Sequence, residues 1–161
     1  MKAAGHRPRA RRAGLALATA LCARGACGDG PTAGSPDCER ESPIAVGDRV
    51  EGALRQGDRR FDGALIDYYA LRLPSAADVV IRLSSVQLDP VLFLFGETGD
   101  VVAQAFDPDG TPSGEVETAT LLAELTPGCH LIGASAWTRD TTGLYTLDVD
   151  DSTGEPAAPG P

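Results

Sequence analysis

The chain has 161 residues, 42% of them hydrophobic, with 19 glycines, 12 prolines, four cysteines and a formal net charge of −9. That charge is unevenly divided: residues 1–26 hold Lys2 and five arginines with no acid, whereas the remainder holds eight arginines, no lysine and all 23 acids, a balance of −15. So acidic a surface is repelled by phosphates, which excludes nucleic acid as an expected partner, and it argues against self-association, so a monomer is expected.

Residues 1–26 read as a signal peptide. A basic stretch ends at Arg11-Arg12, and the apolar run Ala13–Ala23 is far short of the ~20 residues that a membrane-spanning helix needs. The twin arginine is a weak match to a twin-arginine export signal, because Gly14 stands where an apolar residue is expected. Ala26-Cys27-Gly28 resembles a bacterial lipobox, in which Cys27 becomes the lipidated N-terminus, although Arg24 stands at an apolar position of that motif. The alternative is cleavage after Ala20 or Ala23, leaving a soluble product. The expected locations are therefore an outer-membrane or cell-surface lipoprotein, held to the membrane only by lipid, or else a periplasmic or secreted protein.

Residues 27–42 are rich in Gly, Pro, Ser and acids and read as a flexible tether, and residues 150–161 read as a disordered tail. Between them, residues 43–149 are long enough for one modest core. In an oxidising compartment cysteines pair. With Cys27 acylated and Cys22 removed, Cys38 and Cys129 are left to form a disulfide.

The central region is patterned as strands. Tyr69, Leu71 and Leu73 alternate with Tyr68, Ala70 and Arg72; Val79, Ile81 and Leu83 alternate with Asp78, Val80 and Arg82; Tyr145, Leu147 and Val149 alternate with Leu144, Thr146 and Asp148. This two-residue period predicts strands with one buried and one wet face. The run Val91–Phe95 is apolar throughout and predicts a central strand covered on both sides. Turn signals recur at Gly47-Asp48, Gly57-Asp58, Pro74-Ser75, Gly99-Asp100, Asp107-Pro108-Asp109-Gly110, Pro127-Gly128 and Thr142-Gly143. No segment keeps a helical period. The fold class expected is all-β, a two-sheet antiparallel sandwich of jelly-roll type.

The order of these pieces is familiar. Ile44-x-x-Gly47-x-x-Val50-x-Gly52-x-Leu54 leads to Asp67-x-Tyr69-x-Leu71-x-Leu73, then Val79-x-Ile81-x-Leu83, Leu88-Asp89-Pro90-x-Leu92-x-Leu94 and Thr98-Gly99. The series closes with Leu125-x-x-Gly128-x-x-Leu131-Ile132 and Gly143-x-Tyr145-x-Leu147-x-Val149. This resembles the bacterial pre-peptidase C-terminal (PPC) domain family across Ile44–Val149. Gly128-Cys129-His130 departs from the Gly-x-Tyr frequent in that family. The resemblance implies a jelly-roll-like sandwich that serves secretion, surface or substrate binding, or stabilisation, and that is usually not catalytic. The reading expected for this chain is that of a module standing without a peptidase.

The chemistry-bearing residues fit that expectation. His130 falls within a strand, and no Gly-x-Ser-x-Gly elbow is present. Asp140-Thr141-Thr142-Gly143 reads as a hairpin turn, since the extra threonine breaks the Asp-Thr-Gly of aspartic proteases. No catalytic residue is assigned, and the alternative, a small secreted hydrolase using surface carboxylates, has no specific motif behind it. No cofactor is required. Asp107-x-Asp109-Gly110, with Asp89 brought near by the fold, is a candidate calcium site of hard oxygen ligands; the competing reading, which is preferred, is a β-turn chosen for backbone geometry. Trp137 is the lone tryptophan. Exposed, it would contact a ligand; buried, it would anchor the core, and at least partial burial is expected. The function expected is an exported, surface-tethered, non-catalytic module for a polysaccharide, envelope or secreted protein partner.

Overall fold

The computed structural model describes residues 37–96, 98–107 and 114–152. Residues 1–26, expected to be a signal peptide, together with Cys27, Asp109 and residues 153–161, lie outside the described residues. The strands run β1 Ser42–Ile44, β2 Asp48–Leu54, β3 Arg60–Phe61, β4 Ala64–Leu73, β5 Ala77–Ser85, β6 Pro90–Phe95, β7 Val101–Phe106, β8 Glu117–Leu125, β9 Gly128–Ala136 and β10 Gly143–Asp151. They form two sheets. One has six strands in the order β1-β4-β9-β6-β7, with β3 paired to β4; the other has the order β2-β10-β5-β8. All pairings are antiparallel except β1 with β4. The fold is thus the expected all-β sandwich, wound in jelly-roll-like fashion as the chain passes repeatedly from sheet to sheet.

The alternating residues named from sequence supply the core. Leu71, Val79, Ile81, Leu83, Leu147 and Val149 are completely buried between the sheets, with Leu92 and Ile132 from β6 and β9. Each such side chain contributes about 1.5–3 kcal/mol relative to exposure. Tyr145 of β10 reaches across the sheets to β4, where its hydroxyl donates to Asp67 Oδ2 at 2.6 Å. That commits its only proton, so the Tyr69 hydroxyl donates to Tyr145 oxygen at 2.7 Å. Gly52 on β2 makes room for the Tyr145 ring, which a Cβ there would strike.

Three expectations need correction. The second face of β4 is not wet: Tyr68 and Ala70 are buried with Ile66, Phe95 and Leu131 in a separate cluster on the outside of the six-stranded sheet. Secondly, Asp140–Gly143 does not close a hairpin, because β9 and β10 belong to different sheets; the segment crosses between them, with Asp140 at φ 63°. Thirdly, ordered structure extends past residues 43–149 at both ends: Asp150 and Asp151, expected in the tail, belong to β10 and pair with Val80 and Val79. Ser42 opens β1, and Cys38 is bonded to Cys129 at the start of β9, with Cα atoms 6.3 Å apart. The disulfide forms as the cysteine count suggested.

Candidate binding groove

The outer cluster exists because of a short hairpin that sequence patterning overlooked. Asp62 and Gly63 both have positive φ, 48° and 85°, the backbone of a two-residue type I′ turn. Phe61 pairs with Ala64 across it. The hairpin folds over the sheet and sets the Phe61 ring against Phe93 and Phe95, with centroids 5.2 Å away in each case. Gly133 of β9 permits this close packing. A Cβ there would lie 2.7 Å from Ile66 Cδ1 and 2.9 Å from Phe95 Cε2.

Beside this hairpin lies an open groove of about 340 Å³, near the small end of ligand-site volumes. Its floor is the outer face of β6 and β9, with Val91, Phe93 and Ser135. Phe61, Asp62 and Arg139 line it with the β3–β4 hairpin and the β9–β10 crossing; Gln104 and Phe106 line it from β7. Trp137, one residue past β9, completes it, its ring 5.7 Å from that of Phe106. Of the two readings of Trp137, a core anchor does not hold: the ring is covered only in part, 63% exposed, beside Phe106 at 49%. Trp137 is nevertheless fixed at its backbone, where its N–H donates to the Asp89 carbonyl at 2.9 Å. Charges at the crossing are matched locally. Arg60 bonds Asp140 and the Gly63 carbonyl, and Arg139 lies 4.0 Å from Asp62.

The outer face of the other sheet is different in kind. Asp148 stands in register between Arg49 and Arg82. Arg49 pairs with it at 3.6 Å, Arg82 pairs with Asp150 at 2.7 Å, and Ser84 bonds Thr118 at 2.9 Å. Cross-strand ion pairs and hydroxyls of this kind suit a solvated face.

The other singled-out residues are placed as follows. The Asp89 side chain is buried, and Asp107 Oδ2 accepts the Thr118 N–H at 3.1 Å. Val91 faces Phe106 in the β6–β7 pair, so Asp89 and Asp107 leave the same end of that hairpin. Asp109, the third residue of the candidate calcium site, lies outside the described residues. Among the described residues no three His, Cys, Asp or Glu side chains are grouped to hold a metal. His130 sits in β9, as its strand context suggested, and its Nε2–H donates to the Thr126 carbonyl at 2.8 Å. Burial raises four acids, Asp67, Tyr68, Tyr69 and Tyr145, and of these Asp67 and Tyr145 are bonded to each other. Burial, opposed by the hydrogen bond from Tyr145, raises the Asp67 carboxyl above its ordinary value. Burial, reinforced by bonding to Asp67, raises the Tyr145 phenol. Their cause is the inter-sheet contact, not the groove.

The sequence is matched by no family model and by no curated protein. Eight solved chains are similar to it. One of these is the pre-peptidase C-terminal domain of the collagenase from Bacillus anthracis, 20% identical, with a TM-score of 0.48 over 68% of this chain and 94% of that one.

Proposed function

We propose that this chain is an exported, surface-tethered recognition or accessory module, without catalysis of its own, that meets a polysaccharide, protein or envelope partner through the groove around Trp137. The observation that carries this reading is the contrast between the two outer faces. One face carries cross-strand ion pairs among single exposed aliphatics, Leu122 and Leu144, whereas the other exposes the adjoining rings of Trp137 and Phe106 beside Phe93 and Phe61. Exposed aromatics of this kind lose hydration at little conformational cost when a partner covers them. The hydrolase alternative rests on no observation of comparable weight.

Trp137 is the chain's only tryptophan, so its fluorescence reports directly on the groove. The test is to titrate the protein with neutral glycans, acidic glycans and peptidoglycan, alongside short peptides. Because both side chains are exposed, Trp137→Ala and Phe106→Ala should each change stability by only about 0.5 kcal/mol. They should weaken binding roughly tenfold or more. Binding that survives both substitutions would remove the groove from the partner surface.

A further inference from the structure

Four sheet edges are present among the described strands, and three of them are blunted. β1 is three residues long and contains Pro43. β2 carries Asp48, Arg49 and Glu51, and β8 carries the exposed Glu124 with Glu117 buried. Short length, proline and charge are the ordinary protections against strand addition. β7 carries neither proline nor charge, and although its register shifts once, opposite Leu94 and Phe95, the ladder is regular over Ala103–Phe106. Its sequence is Val-Val-Ala-Gln-Ala-Phe, and Val101, Val102 and Phe106 are 38%, 62% and 49% exposed. β7 pairs with β6 on one side and with no other strand among the described residues. In an antiparallel ladder alternate residues direct N–H and C=O away from the partner, so the far side of β7 presents donors and acceptors in strand spacing.

Charge selects the occupant. Asp100 and Asp107 flank β7 at its two ends. If β7 paired with a second copy along its full length, Val101 would oppose Phe106 and each Asp100 would oppose an Asp107. Like charges directly opposite are destabilising, and the excess of 15 acids outside residues 1–26 adds to the repulsion. A strand ending in Lys or Arg meets the reverse situation at both ends.

We propose, resting on the reading of the groove as the partner surface, that the β7 edge takes an extended, cation-ended polypeptide segment of a partner protein as an added strand. The backbone of that segment completes the ladder on β7. Its alternate side chains on the outer face enter the groove beside Phe106 and Trp137, where an aliphatic residue or a Lys stem covers the rings. Backbone pairing gives the affinity, and the groove with Asp100 and Asp107 gives the choice of sequence.

The experiment selects short random linear peptides displayed against the immobilised full chain, with neutral glycans titrated in parallel. Enriched peptides should alternate apolar and polar residues between basic ends. Bound peptide should slow hydrogen exchange of amides within Val101–Phe106. N-methylation of alternate peptide amides should abolish binding in one phase and leave it intact in the other. Asp100→Asn should weaken binding roughly fivefold, the upper range for one exposed pair. Asp107→Asn should do the same, with a thermal melt to check that loss of its bond to Thr118 leaves the fold intact. Enrichment without basic ends, equal tolerance of N-methylation in both phases, or concentration-dependent dimerisation through β7 would each overturn the proposal. If neutral glycans bind in a Trp137-dependent manner while no peptide is enriched, strand addition fails and the groove reading stands. If neither ligand responds to Trp137→Ala, both fail together.

Discussion

Tyr145 concentrates much of what distinguishes this sandwich into one side chain. Its ring fills the space left by Gly52, and its hydroxyl joins β10 to Asp67 and Tyr69 of β4. The half-buried Asp67 carboxyl is the acid whose protonation folding favours, because desolvation raises its folded-state pKa above the unfolded value. The folded protein therefore binds this proton more tightly. Stability contributed at this site is present below the unfolded pKa and is lost as pH rises through the folded one. Asp67→Asn keeps an oxygen to accept from Tyr145 but cannot ionise. The stability of the native protein minus that of Asp67→Asn should fall as pH rises from ~4, the ordinary aspartate range, and level off above the raised pKa. Denaturant melts of both proteins across that range test this, since the other carboxylates cancel in the difference. A difference that is flat or rises with pH would separate Asp67 from any desolvation cost.

At the scale of elements, the disulfide is the firmest constraint on the six-stranded sheet. It joins Cys38, ahead of β1, to Cys129 in β9 across a sequence separation of 91 residues, and Arg72 of β4 donates to the Cys38 carbonyl at 2.7 Å. β1 has few ladder bonds of its own, so this bridge, with the Arg59–Glu41 ion pair, keeps the N-terminal segment on the sheet. Cys38→Ala/Cys129→Ala should lower stability by about 4 kcal/mol under the chain-entropy account of a loop this long. Guanidinium unfolding of the double variant beside the oxidised protein measures it, and a loss under ~1 kcal/mol would mean that the unfolded chain is already restrained. The same scale shows what could be read in advance. β4, β5, β6 and β10 were legible because a period of two residues, or an unbroken apolar run, has one structural meaning over five or more positions. β3 was not, because two residues carry no period; its signal was the Asp62-Gly63 dipeptide. Nor could alternation show that Tyr68 and Ala70 are covered, since the cover is Phe61 and Phe95 folded from elsewhere. The exposure of Trp137 followed from the β9–β10 crossing, and sequence does not record which sheet a strand joins.

For the molecule as a whole the acid excess acts twice, once on the fold and once on whatever approaches it. Eight arginines against 23 acids after residue 26 leave a net repulsion within a small volume. Ion pairs such as Arg49–Asp148 and Arg139–Asp62 are exposed on at least one side and contribute little. Added salt screens both effects, with a Debye length of about 10 Å at 0.1 M, but self-repulsion is the larger sum, so screening should stabilise the folded state. The melting temperature should rise by on the order of 5 °C between low and high sodium chloride, equivalent to about 1 kcal/mol for a domain of this size. Association with a cation-ended peptide should move the opposite way. Steering by the same field raises encounter rates by roughly tenfold or more at low ionic strength and fades as salt is added. A neutral glycan in the groove would show no such dependence. Measuring both quantities on one salt series therefore separates the two: a higher melting temperature with slower association fits an acidic module built for a basic strand. A higher melting temperature with salt-independent association would leave the charge as a matter of solubility and point the groove toward an uncharged partner.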